Sequence, residues 1–311
     1  MSSGHTLVLG GRGLVGAAIC DRATAIGVAV LSPSSKDLDL RDRRTVAEYF
    51  ATHRPSEVYL AAAVVGGILE NARNPVPFVN DNVLIQTNVL EAAFAVRVPK
   101  LMVLGSSCIY PRHCRQPMAE QDLMSGPLEP TNSAYAMAKL VGLEQVVAYN
   151  RQHGTGWQYV IPPNVYGPRD HFFTEKSHVV SALLTRVHEA RCNRLPSVTI
   201  WGSGSARREF IYVTDLAEML VELMARTDAP VPLNTGTGED VSIRQLAEMI
   251  ADVVGYGGEL QWDTTKPDGM PQKLMDSSKM RAMGLASKVP LRQGLVETYR
   301  WFLANYEQLR R

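Results

Sequence analysis

The sequence predicts a doubly wound α/β fold, a parallel sheet with helices on both faces, followed by a smaller α/β domain. Three observations carry this expectation. Short apolar runs alternate with longer helical patterns from Leu7 to Ile161. A glycine-rich loop, GGRGLVG, joins the first run to the first helical pattern. After IPPNVYGP (Ile161–Pro168) the alternation gives way to a less regular texture.

Taken in order, Leu7–Gly10 is a short apolar run that fits a buried strand, and Leu14–Ile26 has helical spacing. Val28–Leu31 reads as a second strand and Arg43–His53 as a second helix. Val58–Ala63 is a central strand, and Val76–Val96 a long helix. Leu101–Leu104 and Gln158–Ile161 are further strands, separated by a helix over Ala134–Arg151. Right-handed crossovers between such units give the doubly wound arrangement. Further on, the pattern predicts helices at Val179–Arg191, Ile243–Val254 and Leu291–Leu309, with strands at Val198–Ile200 and Glu209–Tyr212. Residues 1–168 then form the first domain, residues 169–209 and 239–311 the second, and about 210–238 return to the first.

Composition narrows the partners. The chain has 311 residues, 45% of them hydrophobic and 20% charged, enough for a sizeable core. A formal net charge of +1 gives no reason to expect nucleic acid or an anionic membrane. No apolar run reaches transmembrane length, and no signal-peptide pattern is present. Cys20, Cys108, Cys114 and Cys192 lack CxxC spacing, which argues against a metal site or a disulfide framework and fits a reducing cytoplasm.

The loop Gly10-x-x-Gly13-x-x-Gly16 sits where a strand hands over to a helix. Glycines there permit a tight turn and let the backbone N–H groups of Gly13, Leu14, Val15 and Gly16 approach a pyrophosphate. The spacing differs from GxGxxG, and glycines alone also fit a turn without a ligand; the strand–loop–helix context favours a dinucleotide. An enzyme using NAD often places an acid after the second strand to grip the ribose 2′-OH. Here Ser32-Pro33-Ser34-Ser35-Lys36 follows, with no acid before Asp37. Arg12 and Lys36 instead suit a 2′-phosphate, so NADP(H) is expected. Asp39 and Leu40 are candidates to flank the adenine, with Asp39 alternatively a helix cap.

SAYAMAK places Tyr135 and Lys139 four apart, on one face of a helix. An ammonium beside a phenol favours its ionisation, so the pair can move a hydroxyl proton during hydride transfer. VLGSSCIYP lies upstream, with Ser106 and Ser107 at the end of a predicted strand, where parallel sheets open to ligand.

Glycine loop, serine and Tyr-x-x-x-Lys in this order resemble the extended short-chain dehydrogenase/reductase family, a Rossmann-like fold, over essentially the whole chain. YLAAAVVGGI, GSSCIYP, LEPTNSAYAMAK, NVYGPRD, SHVVSALLTRVHEA, WGSGSARREF and KPDGMPQKLMD are more specifically similar to the GDP-L-fucose synthase family, which carries out 3,5-epimerisation and 4-reduction of GDP-4-keto-6-deoxymannose. The resemblance implies Ser107, Tyr135 and Lys139 for reduction. It implies Cys108 as base and His178 as acid for epimerisation; without it they read as a buried small side chain and a polar loop residue. It places Ala61, Ala62, Ala63, Pro162, Asn164, Val165 and His178 with Tyr135 and Lys139 around the cofactor, and Ser106, Ser107, Cys108 and Asn164 around the sugar. Arg186 and Arg208 suit the pyrophosphate, because guanidinium groups bind its oxygens bidentately, and Lys273 is a further candidate to hold the substrate. Trp201 either stacks on the base or packs in a core. A homodimer through the helices at Val76–Val96 and Ala134–Arg151 is also implied.

Four features depart from that family's pattern. Val64 stands where it has Lys, Pro163 where it has Thr, Lys36 where it has Arg, and Met224–Pro232 is short. The rivals are therefore a dTDP-4-keto-6-deoxyhexose reductase without epimerisation, a nucleotide-sugar 4-epimerase that retains its cofactor, and a nonenzymatic NADP sensor.

Overall fold

Six parallel strands form the main sheet of the computed structural model, which describes residues 5–173, 177–266 and 268–310. The outermost ends of the expected domains, residues 1–4 and 311, and Pro267 within KPDGMPQKLMD lie outside the described residues. The first units are β1 (Thr6–Leu9), α1 (Leu14–Ala25), β2 (Val30–Leu31), α2 (Arg43–His53), β3 (Glu57–Leu60), α3 (Ile68–Arg73) and α4 (Pro75–Ala95). They are followed by β4 (Lys100–Leu104), α5 (Ser133–His153), β5 (Gln158–Ile161) and β6 (Asn164–Tyr166). The remainder is α6 (Val179–Cys192), β7 (Ser197–Trp201), β8 (Arg207–Tyr212), α7 (Val213–Met224), β9 (Leu233–Asn234), β10 (Asp240–Ser242), α8 (Ile243–Val254), β11 (Glu259–Asp263), β12 (Gln272–Lys273), α9 (Ser278–Ala282) and α10 (Leu291–Leu309).

The main sheet runs β2-β1-β3-β4-β5-β9. Its order reverses at β1, and the chain leaves β1 and β3 for helices on opposite faces, which opens a crevice at their carboxyl ends. β1 and β5 are buried throughout and apolar apart from Thr6 and Gln158, which donate to Glu57 and to the Leu223 and Arg226 carbonyls. One face packs Val46 and Phe50 of α2, Val89 and Leu90 of α4, and Leu140 and Val146 of α5 against Leu7, Leu9, Val58, Leu60 and Tyr159. The other packs Ile19 of α1 and Leu216, Leu220 and Leu223 of α7 against Val8, Tyr59, Met102 and Val160.

A third cluster joins Leu183, Leu184 and Val187 of α6 to Leu246 and Ile250 of α8 and to Tyr299 and Phe302 of α10. In the smaller sheet β8 lies between antiparallel β10 and parallel β12, and β6 also pairs with β8. Strands β7 and β11 pair separately in parallel.

The structure corrects several local expectations. The central strand ends at Leu60 rather than Ala63, because residues 61–67 leave the sheet at the crevice. Residues 213–224, assigned from sequence only to a returning segment, form α7. Strands β6, β9 and β12 have two or three residues each, too few to show a period, and only their partners define them. Asp39 does not cap α2. Asp42 does, its carboxylate accepting from the N–H groups of Arg44 at 2.9 Å and Thr45 at 3.1 Å. Asp42→Ala leaves two helix donors without their acceptor, and urea unfolding should show a loss of about 1 kcal/mol with an unchanged m-value.

Candidate active site

The crevice is floored by the glycine loop. Gly10 has φ 92°, and a Cβ there would lie 2.6 Å from the amide nitrogen of Ala62. A Cβ on Gly16 would run into the carbonyl of Gly10. The loop is thus pressed against Ala61 and Ala62 on one side and α1 on the other. Gly13 is the extended N-cap of α1 and offers no side chain to the helix, so the first N–H groups face outward at the positive end of the helix dipole. This cradle, too narrow for side chains and lined by backbone donors, fits a pyrophosphate.

Arg12 and Lys36 are both exposed beside this loop. The first acid after β2, Asp37, accepts from the Ser34 N–H at 3.0 Å and its hydroxyl at 2.5 Å. These bonds, with the charge of Arg12, hold its carboxyl below the usual range. Asp37 therefore closes a turn rather than facing a ribose. Asp39 is bound by Arg41 through Nε at 2.9 Å and Nη2 at 2.8 Å, and Arg41 reaches on to Asp81 of α4. That pairing holds the Asp39 carboxyl at about 2. Leu40 is buried in the core, its carbonyl accepting from Asn88 at 2.9 Å.

The chain turns sharply after β4. Ser106 caps a single helical turn over residues 107–109, its hydroxyl accepting from the Cys108 N–H at 3.4 Å, and the Ser107 N–H donates to Pro162 at 3.2 Å. Ser107 and Cys108 are buried. Opposite them, α5 presents Tyr135 and Lys139. The Lys139 ammonium, 2% exposed, donates to the Leu104 carbonyl at 2.8 Å and lies 5.8 Å from the centre of the Tyr135 ring. That ring and the Phe78 ring of α4 stand nearly perpendicular, their centres 6.4 Å apart.

Burial dominates the electrostatics. It pulls the Lys139 amine down to about 8. It pushes the Tyr135 phenol up, the charge of Cys108 adding to the effect. Burial rather than Lys139 therefore sets the direction of the Tyr135 shift, and the ammonium is engaged by Leu104. Burial also raises the Cys108 thiol, while Lys273, the Ser106 hydroxyl and Lys139 oppose it. Lys273 arrives from β12, paired in register with Arg208 of β8, and burial lowers its amine. Burial lowers the Arg208 guanidinium as well, with Asp268 acting against it.

His178 is the N-cap of α6. Its Nδ1 lies 3.1 Å from Oδ1 of buried Asp170, and that hydrogen bond raises its pKa against the effect of burial. Asn164 donates to the Glu209 carbonyl at 2.8 Å across the β6–β8 pair, with Pro162 and Val165 alongside. Trp201 ends β7 with 53% of its surface exposed and the Lys266 amine 5.7 Å over its ring, so it does not pack in a core. Arg186 donates to the Thr199 carbonyl at 3.0 Å. Among the described residues, no hydrogen bond or ion pair links Arg186 or Trp201 to the Ser107–Lys139 group.

Three residues that shape the site carry no local signal. Asp170 ends NVYGPRD beside Arg169, in the turn after β6, where no period marks it. Asn82, 1% exposed, holds Val64 by its N–H at 2.9 Å and its carbonyl at 3.0 Å, and so fixes the segment after Ala63. Glu209, also 1% exposed, accepts from the N–H groups of Gly238 at 2.8 Å and Met275 at 2.9 Å, which anchors the chain leaving Lys273.

A model of the NAD dependent epimerase/dehydratase family matches residues 6–236. Probable GDP-L-fucose synthase 1 of Oryza sativa subsp. japonica is 47% identical over 304 residues, covering 97% of this chain and 93% of that protein. The chain belongs to the GDP-L-fucose synthase family. GDP-L-fucose synthase of Escherichia coli (strain K12) is 44% identical over 320 residues, covering all of both chains. The GDP-L-fucose synthetase of Naegleria fowleri bound to NADP superposes with a TM-score of 0.92 at 32% identity, covering 100% of this chain and 96% of that one.

Three of the expected departures lie in this site, and Lys36 is the one beside the glycine loop. Val64 sits in the segment that Asn82 holds by its backbone, so the bonds survive the change of side chain. Pro163 is buried between β5 and β6.

The lowered Lys139 pKa has a measurable sign. Between pH 8 and 10.5 the unfolded chain binds more protons at this group than the folded one, so folding stability rises with pH in that window. Relative to Lys139→Met, the wild-type protein should gain up to about 3 kcal/mol across it, read by urea unfolding at each pH. A flat difference would contradict the buried-cation assignment.

Proposed function

We propose that the protein is an NADPH-dependent enzyme that epimerises a GDP-4-keto-6-deoxyhexose at C3 and C5 and reduces its C4 ketone. The observation that carries this reading is the meeting of Ser107, Tyr135 and Lys139 with a buried Cys108 flanked by amines, beside a dinucleotide cradle. The names of the relatives support GDP over dTDP as the nucleotide.

NADPH, when bound, supplies the hydride that goes to C4. The chain's own groups manage the protons. Ser107 hydrogen-bonds the ketone oxygen and Tyr135 gives it a proton. Lys139, its amine pulled down to about 8 by burial, keeps a nitrogen donor close to the phenol. In epimerisation, the ketone acidifies the hydrogens on C3 and C5. Cys108 removes one and His178 returns another to the opposite face. Lys273 and Lys139 favour the thiolate that this requires. Arg186, Arg208 and Lys273 bind the pyrophosphate, and exposed Trp201 stacks on the guanine.

Residues 1–168 with about 210–238 hold the cofactor, and residues 169–209 with 239–311 hold the nucleotide sugar. The place of β9 in the main sheet and the separate cluster around α6, α8 and α10 support this division. Among the described residues no helix is long and apolar enough to cross a membrane; we assign the protein to the cytoplasm. We assign a homodimer to α4 and α5, where Leu84, Phe94 and Met137 are exposed. Light scattering should give twice the 34.2 kDa chain mass, and Leu84→Glu with Met137→Glu should return it to one.

The deciding experiment supplies GDP- and dTDP-4-keto-6-deoxy sugars with NADPH in D2O. Stoichiometric NADPH oxidation with the GDP sugar, and deuterium at C3 and C5, is the expected outcome. Tyr135→Phe should lower kcat by about 10²–10⁴. Cys108→Ser should abolish deuterium entry while still consuming NADPH. Turnover of the dTDP sugar alone would move the protein to a different substrate class.

A further inference from the structure

We infer that Asp170 is a positioning residue for epimerisation, holding the His178 imidazole by Nδ1 so that Nε2 is the nitrogen that delivers a proton to the sugar. This rests on the functional reading above and gives a role to the last residue of NVYGPRD, which the resemblance left without one.

The geometry is specific. Asp170 is 5% exposed, in a loop whose preceding residue, Arg169, has φ 68°. A side chain rarely adopts that left-handed backbone, and here the Arg169 guanidinium is drawn away to Asp21 of α1 at 2.7 Å. The turn sends neighbouring side chains in opposite directions, the cation toward the cofactor helix and the carboxylate inward. Oδ1 of Asp170 accepts from the His171 N–H at 2.8 Å and faces His178 Nδ1 at 3.1 Å. An atom already accepting from one N–H is an acceptor toward the imidazole too. The proton of a neutral His178 ring therefore sits on Nδ1, and protonation adds a second at Nε2.

His178 itself has 47% of its side chain exposed, and the Asp170 bond holds its ring. A ring free to rotate presents either nitrogen; one bound at Nδ1 presents Nε2. The Asp170 bond also stabilises the imidazolium, which suits a proton donor. The step balances. Cys108 thiolate takes a proton from C3 or C5 and becomes thiol, and the C–H electron pair moves into the enolate. The enolate takes the Nε2 proton on its other face, leaving imidazole, and exchange with solvent restores thiolate and imidazolium.

Solvent exchange without NADPH tests the step apart from reduction. The GDP-4-keto sugar is incubated with enzyme in D2O, and deuterium at C3 and C5 is followed by NMR. Asp170→Asn is expected to slow exchange at one or both carbons at least tenfold, Asp170→Glu to restore part of it, and the melting temperature to stay within a few degrees. A slowing of less than tenfold in a folded Asp170→Asn protein overturns the proposal. Should that variant not fold, wild-type protein labelled with ¹⁵N-histidine decides, with His178 assigned by its loss in His178→Gln. A neutral His178 carrying its proton on Nδ1 supports the inference, and one carrying it on Nε2 overturns it. If the wild-type enzyme neither exchanges nor reduces any nucleotide 4-keto sugar, the functional reading has failed, while the nitrogen spectra still report on the Asp170 bond.

Discussion

The bond from the Lys139 ammonium to the Leu104 carbonyl is the constraint on which the site is built. It joins α5 to the last residue of β4, the strand that leads into Ser106, Ser107 and Cys108. A buried cation without an acceptor costs several kcal/mol, so the helix can sit only where a carbonyl meets it. That requirement sets the height of α5 along the sheet. Tyr135, one turn earlier on the same face, then arrives beside the serine–cysteine turn.

The energetic consequence is a site that works against folding. Lys139 and Lys273 are amines whose protonation burial disfavours, and Cys108 is a thiol whose ionisation it disfavours. Each partly compensates another, since the cations favour the thiolate and the thiolate favours the cations. The surrounding core supplies the stability that this arrangement takes away, with apolar side chains packed on both faces of the sheet. Similar compensation appears in Glu209, whose burial is offset by backbone N–H groups from two segments distant in sequence.

The cofactor side depends instead on the absence of side chains. Gly10 and Gly16 let the loop, α1 and the segment after β3 come within backbone contact, and Asn82 ties that segment to α4. The Phe78 ring of the same helix lies edge-on to the Tyr135 ring, so α4 braces both the segment beside the glycine loop and the Tyr135 phenol.

The sequence by itself determined what is local. The alternation of strands and helices, the glycine turn, the absence of an acid before Asp37 and the four-residue spacing of Tyr135 and Lys139 all follow from neighbours in the chain. So did the family, because its motifs are contiguous. Tertiary structure decided what depends on groups far apart. Lys273 meets Cys108 because β12, too short to recognise alone, pairs with β8. Trp201 proved exposed because burial depends on what packs around a side chain. The direction of the Tyr135 pKa shift was set by desolvation, which outweighs the spacing argument. Asp170 became visible only when its carboxylate was found beside His178, since a hydrogen bond between residues eight apart in sequence leaves no local pattern to display.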